Sequence, residues 1–325
     1  PFAAGRILQK IALSENAGFQ YTSLSGLTKP PLSGNKTVNN TMINPFTIVS
    51  PDAQIGENVI IGPFSLIESG VSIGSNCVLD SHTVIKTGVT IGKDNRIGTG
   101  SVIGGLPQHI SAPPPFGQIK IGDGNVFREN TTVHRSLKEN DSTVIGDGNY
   151  LMAGAHVAHD CKIGNHNILV NNVLLGGHVT VGHRVNIGGG SAIHQFCRIG
   201  SLAMVGGLSR VIQDVPPFMM VDGTSGKIVG LNQIGLRRNG RTTAEIRELK
   251  AAYLLLYRSG YTWNEILASF QEHYSVGTAA ELTQFLQTSK RGILRERSRP
   301  HLRVMEAEET ANESGAAAII RVNAG

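Results

Sequence analysis

Counted in sixes, this chain hardly misses an aliphatic residue. Ile43, Val49, Ile55, Ile61, Ile67, Ile73, Leu79, Ile85, Ile91, Ile97 and Ile103 form one run. Ile145, Leu151, Val157, Ile163, Leu169, Leu175, Val181, Ile187, Ile193, Ile199, Val205 and Val211 form a second. Between them Ile121, Phe127 and Val133 keep the same step. A period of six matches neither the 3.6 of a helix nor the alternation of one long strand. It matches short strands separated by turns and stacked as a solenoid. Three hexads per coil make a triangular prism of 18 residues per turn, with the aliphatic side chain inside. Four places after it the residue is small or β-branched, as at Val59, Ser65, Val71, Cys77, Thr83, Ala155, Cys161, Ser191, Cys197 and Ala203. Directly after it Gly is frequent, as at Gly62, Gly98 and Gly182, and we read these glycines as the tight corners. A β-sandwich does not hold one phase so long. The expected class is therefore mainly β. Ala112–Pro115 and Leu137–Ser142 interrupt the pattern and read as excursions.

The repeat covers residues 42–218 of 325, and the ends differ from it. Residues 1–41 hold Arg6, Lys10, Lys29 and Lys36 against one acid, Glu15, with many hydroxyls. An acid-poor basic leader reads as an organellar targeting remnant, for the mitochondrion first and the plastid second, and Pro1 in place of Met points to missing upstream sequence. Without such a leader the expectation is cytoplasmic. Residues 219–240 read as a linker and substrate-contact segment. Over 241–297 the period becomes helical, with helices expected near 243–258, 263–273 and 279–290. Thr242–Glu245, Thr262–Glu265 and Thr278–Glu281 have capping-box spacing. Ile246, Leu249, Tyr253 and Leu256 give one buried face. Residues 298–325 read as a flexible tail.

Composition removes several classes. Charged residues make up 16% and glycines number 40, which excludes a coiled coil or a long helical array. No apolar run is long enough for a transmembrane helix. Three cysteines are too few for a disulfide framework, and Cys77, Cys161 and Cys197 all fall on the small inward position, so they read as core. The net charge of +5 is mild. It permits an acidic partner, and no nucleic-acid partner is expected.

The histidines hold the chemistry. His159, His178 and His194 are 19 and 16 residues apart. With 18 residues per coil they lie on three successive coils near one edge of the prism, and His156 precedes His159 on the same coil. Three readings remain open on the residues alone. His159 is a general base, since an imidazole titrates near pH ~6.5. Asp160 follows and could orient it, although consecutive residues on a strand point to opposite sides. Alternatively the histidines bind zinc, as the His178-x4-His183 spacing allows. Or they are structural, within a subunit interface. Basic residues gather at Arg237, Arg238 and Arg241 and again from Lys290 to Arg303, suited to a phosphate or an acidic protein.

Local motifs narrow this. Ala155-His-Val-Ala-His-Asp-Cys161, Gly176-Gly-His178, His194-Gln-Phe-Cys197, Gln213-Asp-Val-Pro-Pro217 and Gly230-Leu-Asn-Gln-Ile-Gly-Leu-Arg-Arg238 occur in this order. With the C-terminal helices they closely resemble the acyl-[acyl carrier protein]–UDP-N-acetylglucosamine O-acyltransferases, which open lipid A synthesis. The resemblance spans about 43–295. It implies a left-handed parallel β-helix followed by a small C-terminal α-helical domain. It implies a homotrimer with sites between subunits, a (R)-3-hydroxyacyl donor on acyl carrier protein, the 3-hydroxyl of UDP-N-acetylglucosamine as acceptor, and no metal or other cofactor. His159 matches the family's general base, with Asp160 beside it, and Gly177 the residue whose N–H faces the oxyanion. His134, His156, His178, His194, Gln195 and Gln108 match groups lining the substrate cleft. Asn232 and Arg238 match positions near the acyl donor and phosphates, and Gly207 the position that limits acyl length.

Three positions depart from the family pattern. Where the family usually has an acid and then a Lys, this chain has His109 and Ser111, and Asn239 stands where a second Arg often lies. Two rival functions stay in view: a γ-class carbonic anhydrase, with zinc in a trimeric β-helix, and a non-catalytic β-helix scaffold.

Overall fold

The computed structural model describes residues 36–38, 40–111 and 113–298. The leader up to residue 35 and the tail beyond 298 lie outside the described residues, and the targeting expectation lies there with them. The described chain winds as a left-handed parallel β-helix of strands two to four residues long, grouped in three sheets. The first face has twelve strands, the second nine and the third eight. Strand partners follow the eighteen-residue step, as in Met42↔Ile60 and Ile60↔Val78. The two excursions are visible as longer steps: Arg96 pairs with Val126, and Val126 with Tyr150. The coil resumes in phase after each, because the inserts add twelve and six residues, whole numbers of hexads. The first face is closed at each end by an antiparallel strand, Lys36–Val38 on Thr41–Ile43 and Ile228–Leu231 on Met219–Val221.

The aliphatic position fills the prism: Ile61, Ile67, Leu79, Ile97, Leu151, Leu169 and Val205 are at most 1% exposed. The small position is largely buried too, and at several of its hydroxyls and thiols the side chain donates to a backbone carbonyl fifteen residues on. Thr41, Ser65, Cys77, Cys161 and Ser191 all do this. Burial pushes the Cys161 thiol up to about 12, so the cysteines are core, as their position implied. In one column the small position holds Asn instead. Asn95, Asn125, Asn149 and Asn167 form an internal ladder in which each side-chain carbonyl accepts the next residue's backbone N–H.

The corner reading of the glycines is corrected. A Cβ on Gly62 would sit 2.8 Å from the backbone of the next coil, so this glycine serves the close stacking of coils. The left-handed turn conformation falls two residues later, most often at Asn, Asp or His, as at Asn58, Asn76, His82, Asp94, Asn130, Asp160, His166, Asn172 and His178, but also at Phe64, Arg184, Phe196, Leu202 and Leu208, with φ between 56° and 64°. Short polar side chains that bond locally tolerate this region best.

Beyond the prism the described residues form four helices: α1 (Gln233–Arg238), α2 (Thr243–Arg258), α3 (Trp263–His273) and α4 (Ala280–Gln287). Capping boxes at Thr242 and Thr262 are present. The third is not. Helix α4 starts after Ala279, which is fully buried and donates its N–H to Glu248, so Glu281 falls one place early and Thr278 turns to Glu245. Helix α1 and the strand before it occupy the segment read as a linker. Asn232 caps α1 by accepting the Gly235 N–H, while its own amide donates to Leu202 O. Ile246, Leu249, Tyr253 and Leu256 are buried as the spacing predicts. Arg198 joins this region to the prism: it pairs with Asp214 at 3.0 Å and donates to Phe285 O at 2.7 Å.

Candidate active site

The centre of the site is a turn between the second and third faces. His159 and Asp160 are neighbours in sequence and both buried, at 6% and 5% exposure. On a strand they would diverge. Here Asp160 is in the left-handed region (φ 61°), which swings its carboxylate back to its neighbour. His159 Nδ1 lies 2.8 Å from Asp160 Oδ2. The expectation of opposed side chains therefore fails, because the pair stands on a corner. The other Asp160 oxygen accepts from Ser136 Oγ at 2.5 Å, and the Leu137 N–H donates to Oδ2 at 3.2 Å. Burial alone would raise the Asp160 carboxyl. The bonds from Ser136, His159 and Leu137, with His178 nearby, outweigh it and hold the group below the ordinary carboxylate value. Asp160 is thus an anion fixed on Nδ1, which leaves His159 Nε2 as the basic atom.

Eighteen residues on, Gly177 lies against that ring. A Cβ on Gly177 would come within 2.4 Å of His159 Cε1 and 2.7 Å of Nε2. Its carbonyl accepts the Phe196 N–H, but its own N–H has no acceptor among the described residues. A free backbone N–H of this kind is the type of donor that a developing oxyanion requires.

Other imidazoles surround this pair. His178 packs edge-on to His159 with ring centroids 5.2 Å apart, and Phe196 stacks flat on His178 at 4.5 Å. His134 and His156 pack edge-on at 5.0 Å, and His156 Nδ1 lies 2.8 Å from Thr132 Oγ1. Burial, then His134 and His159, pushes His156 down to about 4. Burial also lowers His134 and His178. His194 and Gln195 are exposed on the next coil of the same edge, His194 Nδ1 being 3.1 Å from Gln195 O. Gln108 is exposed on the first excursion. The same excursion brings His109 to 6.1 Å from the His159 ring. Neither His109 nor Ser136 and Leu137 was singled out for this centre from sequence. The signal available was the insertion itself, since excursions from a repeat collect on the functional face.

Three expected residues lie elsewhere. Gly207 is exposed at the corner between the first and second faces, stacked against Gly189. Asn232 bonds to Leu202, at the corner between the third and first faces, and Arg238 is exposed at the end of α1. A single chain therefore distributes the predicted site over three edges. A cleft of about 880 Å³ between α2 and residues 289–298, lined by Tyr257, Trp263 and Arg295, contains none of the imidazoles.

For a metal, His159, Asp160 and His178 each offer one ligand atom, all within 4.8 Å of one another. Zinc takes such donors. However, Asp160 Oδ2 and His159 Nδ1 already face each other. The sequence pair His178 and His183 is not brought together, since His183 stands at the next corner, where its Nδ1 accepts the Asn165 N–H.

Comparison with known proteins agrees along most of the chain. The family model described as UDP N-acetylglucosamine O-acyltransferase, domain 2, matches residues 214–294. The bacterial transferase hexapeptide model matches 38–69, 70–105 and 142–177. An acyl-[acyl-carrier-protein]–UDP-N-acetylglucosamine O-acyltransferase of Burkholderia lata is 46% identical over 261 residues, covering 78% of this chain and all of the relative. The solved UDP-N-acetylglucosamine acyltransferase of Bacteroides fragilis is 35% identical with a TM-score of 0.76, over 78% of this chain and 100% of that one. The Arabidopsis UDP-N-acetylglucosamine acyltransferase is 37% identical with a TM-score of 0.67, over the same shares.

Proposed function

The chain belongs to the acyl-[acyl-carrier-protein]–UDP-N-acetylglucosamine O-acyltransferase family, and from that premise we propose that it acylates the sugar hydroxyl of UDP-N-acetylglucosamine with His159 as general base. It is an acyltransferase of lipid A synthesis. The observation that carries the mechanism is the buried His159–Asp160 pair, 2.8 Å apart, with Gly177 packed against the His159 ring. His159 Nε2 takes the proton of the sugar 3-hydroxyl as its oxygen attacks the thioester carbonyl of a (R)-3-hydroxyacyl carrier protein. Asp160 holds the ring in the required tautomer and stabilises the imidazolium. The Gly177 N–H donates to the oxyanion. The tetrahedral intermediate then expels the carrier thiolate, the C–S bond breaks, and the imidazolium returns its proton to sulfur. His134, His156, His178 and Gln195 line the acceptor side.

A homotrimer is the assembly this reading requires. The outward residues over the first coils of the first two faces are apolar, as at Ile48, Ile60, Leu66, Val78, Val84 and Val102, whereas the third face shows Gln54, Ser72, Thr90, Lys120 and Lys162. Apolar faces on either side of one edge suit burial against another copy. In this reading Gly207 leaves room for a long acyl chain. Arg237 and Arg241 would draw an acidic carrier protein. Organellar delivery is proposed from the composition of residues 1–41 alone, and a fluorescent fusion of that segment remaining cytosolic would exclude it.

The test is acyl transfer by purified protein from a panel of hydroxyacyl carrier proteins, read by mass spectrometry. His159→Ala is expected to lose at least ~10²-fold in kcat while the oligomer persists. Full activity in that variant would remove His159 from the role.

A further inference from the structure

The first excursion has no ladder of its own, so its path depends on where its two ends are tied. One residue ties both. The backbone N–H of Arg135 donates to Gly105 O at the exit, at 2.9 Å. Its guanidinium donates to Phe116 O at 2.7 Å and Gly117 O at 2.6 Å at the return. Gly88 makes the room: a Cβ there would sit 3.2 Å from Arg135 Cζ. Arg135 also stands between His134, one of the clustered imidazoles, and Ser136, which holds Asp160. Between the two ties the loop suspends His109 beside His159. His109 Nδ1 accepts the Ser111 N–H at 3.2 Å. In the neutral ring the proton is then on Nε2, which makes that atom a donor to whatever occupies the cleft.

We infer that Arg135 is a positioning residue that sets this loop over the site, and that His109 is the group it delivers, donating from Nε2 to an oxygen of the acceptor. The inference rests on the acceptor reading given above. A guanidinium donates to both carbonyls at once in a fixed fork, whereas a lysine can point its charge at only one place. The loop therefore keeps its height through a charge-assisted contact that no repeat position encodes.

The experiment combines Arg135→Ala, Arg135→Lys, His109→Ala and the double alanine variant. Steady-state kinetics is measured for both substrates, and amide hydrogen exchange over residues 105–117. Arg135→Ala is expected to raise the acceptor KM about tenfold, leave the carrier-protein KM within about twofold, and speed exchange in the loop about tenfold while the prism keeps its protection. His109→Ala is expected to raise the acceptor KM to a similar extent, with exchange in the loop unchanged except at Ser111, whose N–H loses its acceptor. The double variant should be no worse than the worse single one, because the two residues act through one contact. Additive effects, or an Arg135→Ala protein with unchanged exchange, would overturn the inference. Should Arg135→Ala fail to fold, Arg135→Lys decides by the same two readouts, and a lysine variant indistinguishable from the parent refutes the fork. If the parent protein does not acylate UDP-N-acetylglucosamine, the acceptor reading fails, while loop exchange still decides the clamp.

Discussion

Replacing Gly177 by Ala separates the placing of the base from every other property of the site. Gly177 is not in the left-handed region, so alanine strains no backbone there, and the residue keeps its N–H. Only a methyl is added. That methyl would stand 2.4 Å from His159 Cε1 and 2.7 Å from Nε2. Carbon atoms pack at about 3.5 Å, so the ring must retreat by about 1 Å. The ring is 6% exposed and fixed through Nδ1 to Asp160 at 2.8 Å, so retreat stretches that bond or tilts Nε2 off the acceptor. A displacement near 1 Å costs about 10²-fold in rate, which is about 2.7 kcal/mol of activation free energy. Overpacking adds about 1–3 kcal/mol of destabilisation. The assay is kcat for transfer, with KM for both substrates and the thermal midpoint measured alongside. The expected result is a kcat lowered ~10²-fold with both KM values within about threefold. A variant with kcat within threefold of the parent would show that the ring can yield without chemical consequence, and the base geometry drawn here would be wrong.

Three further predictions follow from particular groups. His156 is pushed down to about 4, and His134 and His178 are lowered as well, so between pH 4 and the ordinary imidazole value the unfolded chain binds more protons than the folded one. Stability should therefore fall as pH drops from about 6.5 to 4, and His156→Gln should flatten that slope in a thermal-shift series; an unchanged slope refutes the assignment. Dialysis against a chelator is expected to leave transfer activity intact, and a loss restored by added zinc would return His159, Asp160 and His178 to the role of ligands. Asn149→Leu removes one rung of the internal ladder and leaves the buried Asn167 N–H unpaired, which should lower unfolding free energy by about 1–3 kcal/mol in urea titrations; an unshifted midpoint would mean the ladder adds nothing.

The repeat made the prism legible, because a hexad states its own environment at every position. The aliphatic and small slots identified by counting are the ones buried, and the two excursions stand where the count breaks. Arithmetic modulo eighteen also put His159, His178 and His194 on one edge before any coordinates. Periodicity was weaker where the same slot served two chemistries. The asparagines of the ladder occupy the small inward position, and nothing in a hydrophobic count marks them as hydrogen-bonded. The glycines were visible, but close stacking and turn conformation fell two residues apart.

What the sequence determined by itself is whatever repeats: the winding, the core, the capped helices α2 and α3, and the edge on which the imidazoles gather. Only the tertiary structure decided the contacts made once. The Asp160 carboxylate reaches back to His159 because one corner residue adopts φ 61°. Helix α4 starts late because Ala279 is buried against Glu248. His109 arrives beside His159 because Arg135 grips both ends of an insert that obeys no period. The physical reason is range. A periodic pattern is a local rule applied many times, whereas a single long-range anchor has no second occurrence from which it could be read.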